Sequence, residues 1–209
     1  MPSTAFGAAD FKVFEVTGFA QRMSEIRSRI RPKLETLGQR LVPEVSRATG
    51  AEAFAHVAKH ARRTVNPPDD TWVAFAPDKR GYKKHCHFKV AVSRNAVRFL
   101  FEVGPEHDDK KRWAAAWKTN APKLGPVLNR MKGLAHFKNE HDEQPASLLA
   151  DLSIDEFGAL GDETLRTRDG QFVVGRAIPS AEAARWTEAQ YRAAALETVR
   201  ALSPLYRLP

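Results

Sequence analysis

The chain has one cysteine among 209 residues. It can form no internal disulfide, which suits a reducing compartment and leaves fold stability to the core. At this length a folded chain buries roughly 70% of its unfolded surface, so no metal or disulfide is required to hold it together. No apolar run approaches the roughly 20 residues of a membrane-spanning helix. The opening MPSTAFGAAD has neither the basic start nor the apolar stretch of an export signal. There is no GxGxxG and no glycine-rich phosphate loop of the nucleotide-hydrolase type, and no helix–turn–helix, zinc-finger or RNA-binding signature. Internal repeats and low-complexity linkers are absent as well. The expectation is one domain over 1–209, cytoplasmic, with no membrane partner and no cofactor; oligomeric state is left open.

Charge is what the chain has in excess. The net charge is +8 and the pI about 9.8. Half of that excess lies in residues 55–88, AHVAKHARRTVNPPDDTWVAFAPDKRGYKKHCHF, where seven lysines and arginines face three aspartates. Four of the seven histidines (His56, His60, His85, His87) and the lone Cys86 lie there too. A basic concentration attracts anions in general, whether phosphorylated metabolites, nucleic acid or acidic membranes; it is equally the mark of a well-solvated surface.

Hydrophobic periodicity divides the chain. Residues 11–16, FKVFEV, alternate as a strand. Residues 20–37 place Met23, Ile26, Ile30, Leu34 and Leu37 at helical spacing, with Pro32 expected to kink the helix and Gly38 to close it. A shorter helix is expected from Pro43 to Thr49. Residues 52–63 read as a helix with Phe54, Val57, Ala58 and Ala61 as its apolar stripe. The Pro67-Pro68 pair stiffens the loop that follows, TWVAFA (71–76) reads as a strand, and 77–83 as a turn around Gly81. Two matched alternating runs, 86–92 and 96–103, predict a hairpin. Cys86, Phe88, Val90 and Val92 then share an apolar face with Val97, Phe99, Phe101 and Val103, while His87, Lys89, Arg98 and Glu102 share the other. A helix over 107–119 is expected to break at Pro122 before a second from 123. LAHFKNE (134–140) fits a short strand and 171–178 another. Ser153 with Glu156 and Thr187 with Gln190 are capping boxes, the second opening a helix that stops before Pro204. Helices and strands do not alternate as a parallel sheet requires, so the fold class is α+β with a mainly antiparallel sheet.

The segment HVAKHARRTVNPPDDTWVAFAPDKRGYK resembles the core of the YktB-like proteins, a family of small bacterial proteins. DFKVFEVTGF followed by RMSEIRSRIRPKLETLG resembles that family's opening. The resemblance covers roughly residues 10–104 and weakens beyond. Cys86 stands where a proline is expected before the His-Phe pair. The resemblance implies an α+β fold and a bacterial, cytoplasmic origin; it carries no established activity, so no catalytic role passes to any residue.

Three chemistries remain open for the central stretch. An anion site would draw on Lys59, His60, Arg62, Arg63, Asn66, Trp72, Lys79, Arg80, Tyr82 and His87, because guanidinium forks match phosphate and carboxylate geometry. In this reading Lys59 and Arg63 share a helix face, and the proline loop brings Arg80 and Tyr82 beside them. The alternative is independent surface cations with Tyr82 in the core. A metal would need His56 and His60, four apart, but no carboxylate lies between them and Lys59 adjoins them, so no metal is expected. His87 and Glu102 form either a proton-transfer pair or a cross-strand ion pair of little worth on an exposed sheet, and Cys86, on the apolar face, reads as an inert thiol. Seven further cations against two aspartates in 107–133 keep a non-sequence-specific nucleic-acid binder as the competing class, with Trp113 and Trp117 assigned to the core. An enzyme acting on a phosphorylated substrate is the third reading.

Overall fold

The computed structural model describes residues 3–208. One seven-stranded sheet, antiparallel at every pairing, organises the chain: β1 (Phe54–Val57), β2 (Asp70–Ala76), β3 (His87–Ser93), β4 (Ala96–Val103), β5 (Ala135–Phe137), β6 (Ser147–Leu148) and β7 (Phe172–Pro179). The spatial order is β1-β2-β3-β4-β7-β5-β6. The α+β class, the central hairpin, the strands near 71–76 and 171–178 and the short strand in 134–140 match the sequence expectation.

The hairpin's alternation sets up two different faces. Phe88, Val90, Val92, Val97, Phe99, Phe101 and Val103 all enter the main core. Burying each such side chain stabilises the fold by roughly 1.5–3 kcal/mol. Against this face pack α3 (Arg31–Thr49) and α7 (Glu188–Tyr206). Beside them α4 (Lys110–Leu128) and α5 (Ile154–Arg166) pair around stacked Trp113 and Trp117, both fully buried as expected. The predicted capping boxes open α5 and α7. Among the described residues, no helix is long and apolar enough to cross a membrane.

Several expected elements are different. Residues 11–16 are not a strand: α1 (Ala8–Phe11) runs into a 3₁₀ turn at Lys12–Glu15. Residues three apart eclipse in such a turn, which buries Phe11 and Phe14 together. The alanine-rich 52–63 segment is not a helix. It contributes β1, paired in register Phe54↔Ala76 to Val57↔Val73, and then an irregular loop. Helix propensity is a weak preference, and pairing with the sheet edge overrides it. His60 then takes φ 50°, a left-handed conformation that interrupts any helix.

Prolines break less than expected. α2 (Phe19–Glu25) passes into α3 through a π-helical turn at Ile26–Ile30, and Pro32 falls in the first turn of α3, so the chain widens ahead of it and the helix continues. α3 runs through Gly38 and Pro43 to Gly50, and the separate 43–49 helix is its last turns. α4 passes through Pro122 and Pro126, and α7 through Pro204. In α4 both prolines lie on the exposed stripe with Lys118, where carbonyls deprived of a donor meet water, while Trp113, Trp117, Ala121 and Gly125 form the buried stripe.

β7 approaches β4 closely at Gly175, opposite Leu100; a Cβ there would collide with the Phe99 backbone carbonyl. Gly175→Ala is expected to destabilise the protein by about 3 kcal/mol, read as a lowered urea midpoint, because neither strand can retreat.

Candidate functional site

The second face of the sheet carries the chemistry. Register places Ala74, Lys89 and Leu100 in one row, Trp72, Ala91 and Arg98 in the next, and His87 opposite Glu102. Small Ala74 and Ala91 leave room for the long polar side chains beside them. The sequence reading put His87, Lys89, Arg98 and Glu102 on an exposed face. All four are buried, Lys89 and Arg98 completely. The cover comes from residues 138–146, the stretch between β5 and β6, and from the turn 77–86.

Buried charges persist only when paired. Lys89 Nζ lies 3.1 Å from Glu102 Oε2, contacts the Glu140 carboxylate, and sits 4.8 Å from the centre of the Trp72 ring. Arg98 pairs with Asp70 at 2.5 Å and donates to the Glu140 and Asp142 carbonyls. His141 adds a contact to Asp70 at 3.0 Å. His87 Nδ1 donates to the His85 carbonyl at 2.9 Å and Nε2 meets Glu102 at 3.1 Å, so the ring is placed to donate on both sides. The expected His87–Glu102 pair therefore exists, but as part of a closed network. Burial alone would raise the Glu102 carboxyl; Lys89 and His87, by charge and hydrogen bond, outweigh it and hold it below the usual range. Burial lowers the Lys89 ammonium, against the pull of Glu102 and Asp70.

Outside this network runs a concave groove of about 740 Å³. Its lining includes Lys59, His60, Arg62, Arg63, Trp72, Lys79, Arg80 and Tyr82, eight of the residues singled out from sequence. Their helical basis was wrong: Lys59, His60, Arg62 and Arg63 come from the loop after β1, and no i, i+4 face relates them. That loop is anchored by Arg22 of α2, which donates to the Pro68 carbonyl and Asp69 at 3.1 Å each. Trp72 Nε1 donates to the Tyr82 hydroxyl at 2.9 Å, tying the 77–86 turn to β2. Asn66 is exposed and does not line the groove. His87 does not line it either; it lies behind Tyr82, ring centres 4.8 Å apart.

Seven cations line the groove against one carboxylate, Glu35. Arg31 pairs with Glu35, Lys83 with Glu106, and Arg80 reaches Asp78 only at 3.8 Å. Lys79 rests over the Phe54 ring. Among the described residues Lys59, Arg62 and Arg63 form no ion pair. His60 bonds Thr71 Oγ1 at 3.0 Å and meets Trp72 edge-on; burial pushes it down to about 4. His56 also lines the groove, and its Nε2 is buried without a hydrogen-bond partner. Burial lowers this histidine as well.

Metal and thiol chemistry find little support. His56 and His60 lie on a strand and a loop, so the helical pairing argument lapses, and no metal-holding group of three or more His, Cys, Asp or Glu occurs among the described residues. Cys86 Sγ is 3.4 Å from His107 Nε2. The His107 Nδ1 already accepts from the Asp109 amide at 3.1 Å, which leaves the proton on Nε2 and no lone pair to activate the thiol. Burial pushes Cys86 up to about 12.

Sequence reasoning missed Arg31 and Glu35, which reach the groove from α3, and the loop residues Glu140 and His141. Asp70 was assigned to the loop although it opens β2. The KNEHDE run held the only local signal: acidic residues and a histidine directly after a strand.

A family model described as a domain of unknown function (DUF1054) matches residues 6–206. A UPF0637 protein of Lysinibacillus sphaericus is 34% identical over 211 residues, covering 100% of this chain and 97% of its own. One from Shouchella clausii is 35% identical over 213 residues, with 100% and 96% covered. One from Staphylococcus epidermidis is 37% identical over 179 residues, covering 85% and 86%. The family match extends well past residue 104, where the sequence reading expected divergence.

Glu102→Gln is expected to cost about 3–5 kcal/mol in denaturant unfolding, because it leaves Lys89 and His87 facing a neutral amide in a buried setting. His60 gives a separate signature. Its folded value of about 4 lies below the ordinary 6.5, so the unfolded chain binds the proton first as pH falls. Its contribution is complete above pH 6.5 and is lost between about 6.5 and about 4. His60→Gln should flatten the stability–pH curve in that window, as read by thermal melts across pH.

Proposed function

This chain belongs to the DUF1054 family of bacterial proteins, and from that premise we propose that its groove binds a small ligand bearing a phosphate or carboxylate. The observation that carries the reading is a set of cations: Lys59, Arg62 and Arg63 meet Arg80 in one concavity, and among the described residues none of the first three forms an ion pair. Surface cations that serve only solubility have no need of a concave setting. A guanidinium in a concave wall offers a fixed fork of donors, and partial exclusion of water strengthens its hold on an oxyanion. Trp72 and Tyr82 are half-buried and bonded to each other, which gives the groove a rigid floor. The left-handed His60 fits the same picture, since such conformations cluster at ligand clamps and active sites.

Titration with inorganic phosphate and pyrophosphate, followed by calorimetry, tests the reading. Arg63→Ala and Arg80→Ala should each weaken binding by roughly tenfold, the loss of one charge-assisted contact. Stability should stay within about 0.5 kcal/mol of the parent, because both side chains are exposed. Equal affinity in parent and variants would end the proposal. A small ligand also predicts a shallow dependence on salt. A steep fall in the affinity for single-stranded nucleic acid with rising salt, with no response to phosphate, would instead favour a nucleic-acid binder.

A further inference from the structure

Lys89 and Arg98 rise side by side from neighbouring strands, and each has a carboxylate of its own from the sheet: Glu102 for Lys89, Asp70 for Arg98. Glu140 is a third carboxylate in the same place and differs from the other two. It comes from a loop, and its side chain is 19% exposed against 3% for Glu102 and 7% for Asp70. The same loop offers Arg98 two backbone carbonyls at 2.5 and 3.1 Å, yet Arg98 Nε stays buried with no partner. A carboxylate and two carbonyl oxygens thus fill the space in front of a lysine and an arginine, without using every donor present. The setting is continuous with the groove. Trp72 lines the groove, carries Lys89 over its ring and has His141 of the covering loop 5.7 Å away.

We infer that Lys89 and Arg98 form a second anion subsite, adjoining the groove across Trp72, in which the Glu140 side chain stands in for the phosphate or carboxylate of a ligand. The ligand's anionic group replaces Glu140 on Lys89 and takes up the free Arg98 donor, so the charge balance of the buried face is preserved when the 138–146 loop gives way. Glu140 competes from within the chain, so affinity in the intact protein is reduced by the fraction of molecules in which the loop is closed. The natural use of the subsite rests on the groove reading; its anion chemistry does not, and can be measured separately.

The test is rescue by inorganic phosphate. Glu140→Gln keeps the size of the side chain and the loop backbone but removes the competing charge. This variant should melt below the parent in chloride and regain stability as phosphate is added, with a midpoint at least about tenfold lower than any phosphate effect on the parent. The recovery should keep its midpoint on addition of Arg63→Ala, which weakens the groove, and disappear on addition of Lys89→Met. Chloride at matched ionic strength is the control. If phosphate stabilises Glu140→Gln no more than chloride does, or raises parent and variant alike, Glu140 is only a structural ion-pair partner and the subsite does not exist. Should Glu140→Gln fail to fold, Glu140→Asp retracts the carboxylate by one methylene and is read by the same phosphate midpoint. Loss of phosphate binding to the parent's groove, with rescue of the variant intact, would overturn the groove reading and leave the subsite standing.

Discussion

The contact on which the second face depends is Lys89 against Glu102, with Glu140 closing over the same ammonium. A lysine at the middle of a sheet is costly to bury; left alone it would shed its proton or turn the strand outward. Here it is matched by a carboxylate one strand away and by another from the loop after β5. Once that loop is drawn down, Arg98 acquires its carbonyl partners, Asp70 acquires His141, and Trp72 is pressed against the Lys89 ammonium. Trp72 then holds Tyr82, Tyr82 holds the 77–86 turn, and the turn forms one wall of the basic groove. The groove is shaped by ion pairs that lie mostly out of solvent.

Two kinds of charge therefore serve two purposes on one face. Those on β2, β3 and β4 are paired, buried and geometrically fixed. Those on the loop after β1 are exposed, and among the described residues Lys59, Arg62 and Arg63 form no ion pair. A buried ion pair is weak evidence for added stability, since well-packed apolar residues often do as well. What the pairs contribute here is definition: they dictate where an otherwise irregular loop must lie. The opposite face needs no such device, because Phe88, Val90, Phe99 and Phe101 are held by α3, α4 and α7 through apolar contact alone.

Much of the fold was legible because it is local. Alternation of Phe88, Val90 and Val92 against Val97, Phe99 and Phe101 specifies a hairpin whatever surrounds it. The Ser153–Glu156 and Thr187–Gln190 boxes mark helix starts by their own hydrogen bonds. The failures were non-local. AEAFAHVAKHARR is rich in helix formers, and only the waiting edge of β2 makes its first part a strand. Prolines 122 and 126 break nothing because the missing donors fall on the solvent side of α4. His87, Lys89, Arg98 and Glu102 read as a solvated face because their cover, Glu140 and His141, lies some fifty residues away from Lys89 in sequence. Eight of the residues named from the sequence line one concavity, but not by the helical route expected: Lys59, His60, Arg62 and Arg63 come from a loop tethered by Arg22, and Lys79, Arg80 and Tyr82 from the 77–86 turn.

The central claim is that a charged sheet face lies sealed behind the groove. Amine-reactive labelling of the native protein, read lysine by lysine by mass spectrometry, addresses it directly. Lys59 and Lys79 line the groove in contact with water and should modify quickly, whereas Lys89 should modify far more slowly, at a rate limited by opening of the 138–146 loop. Modification of Lys89 at the rate of Lys59 and Lys79 under native conditions would show the face to be open to solvent and contradict the account.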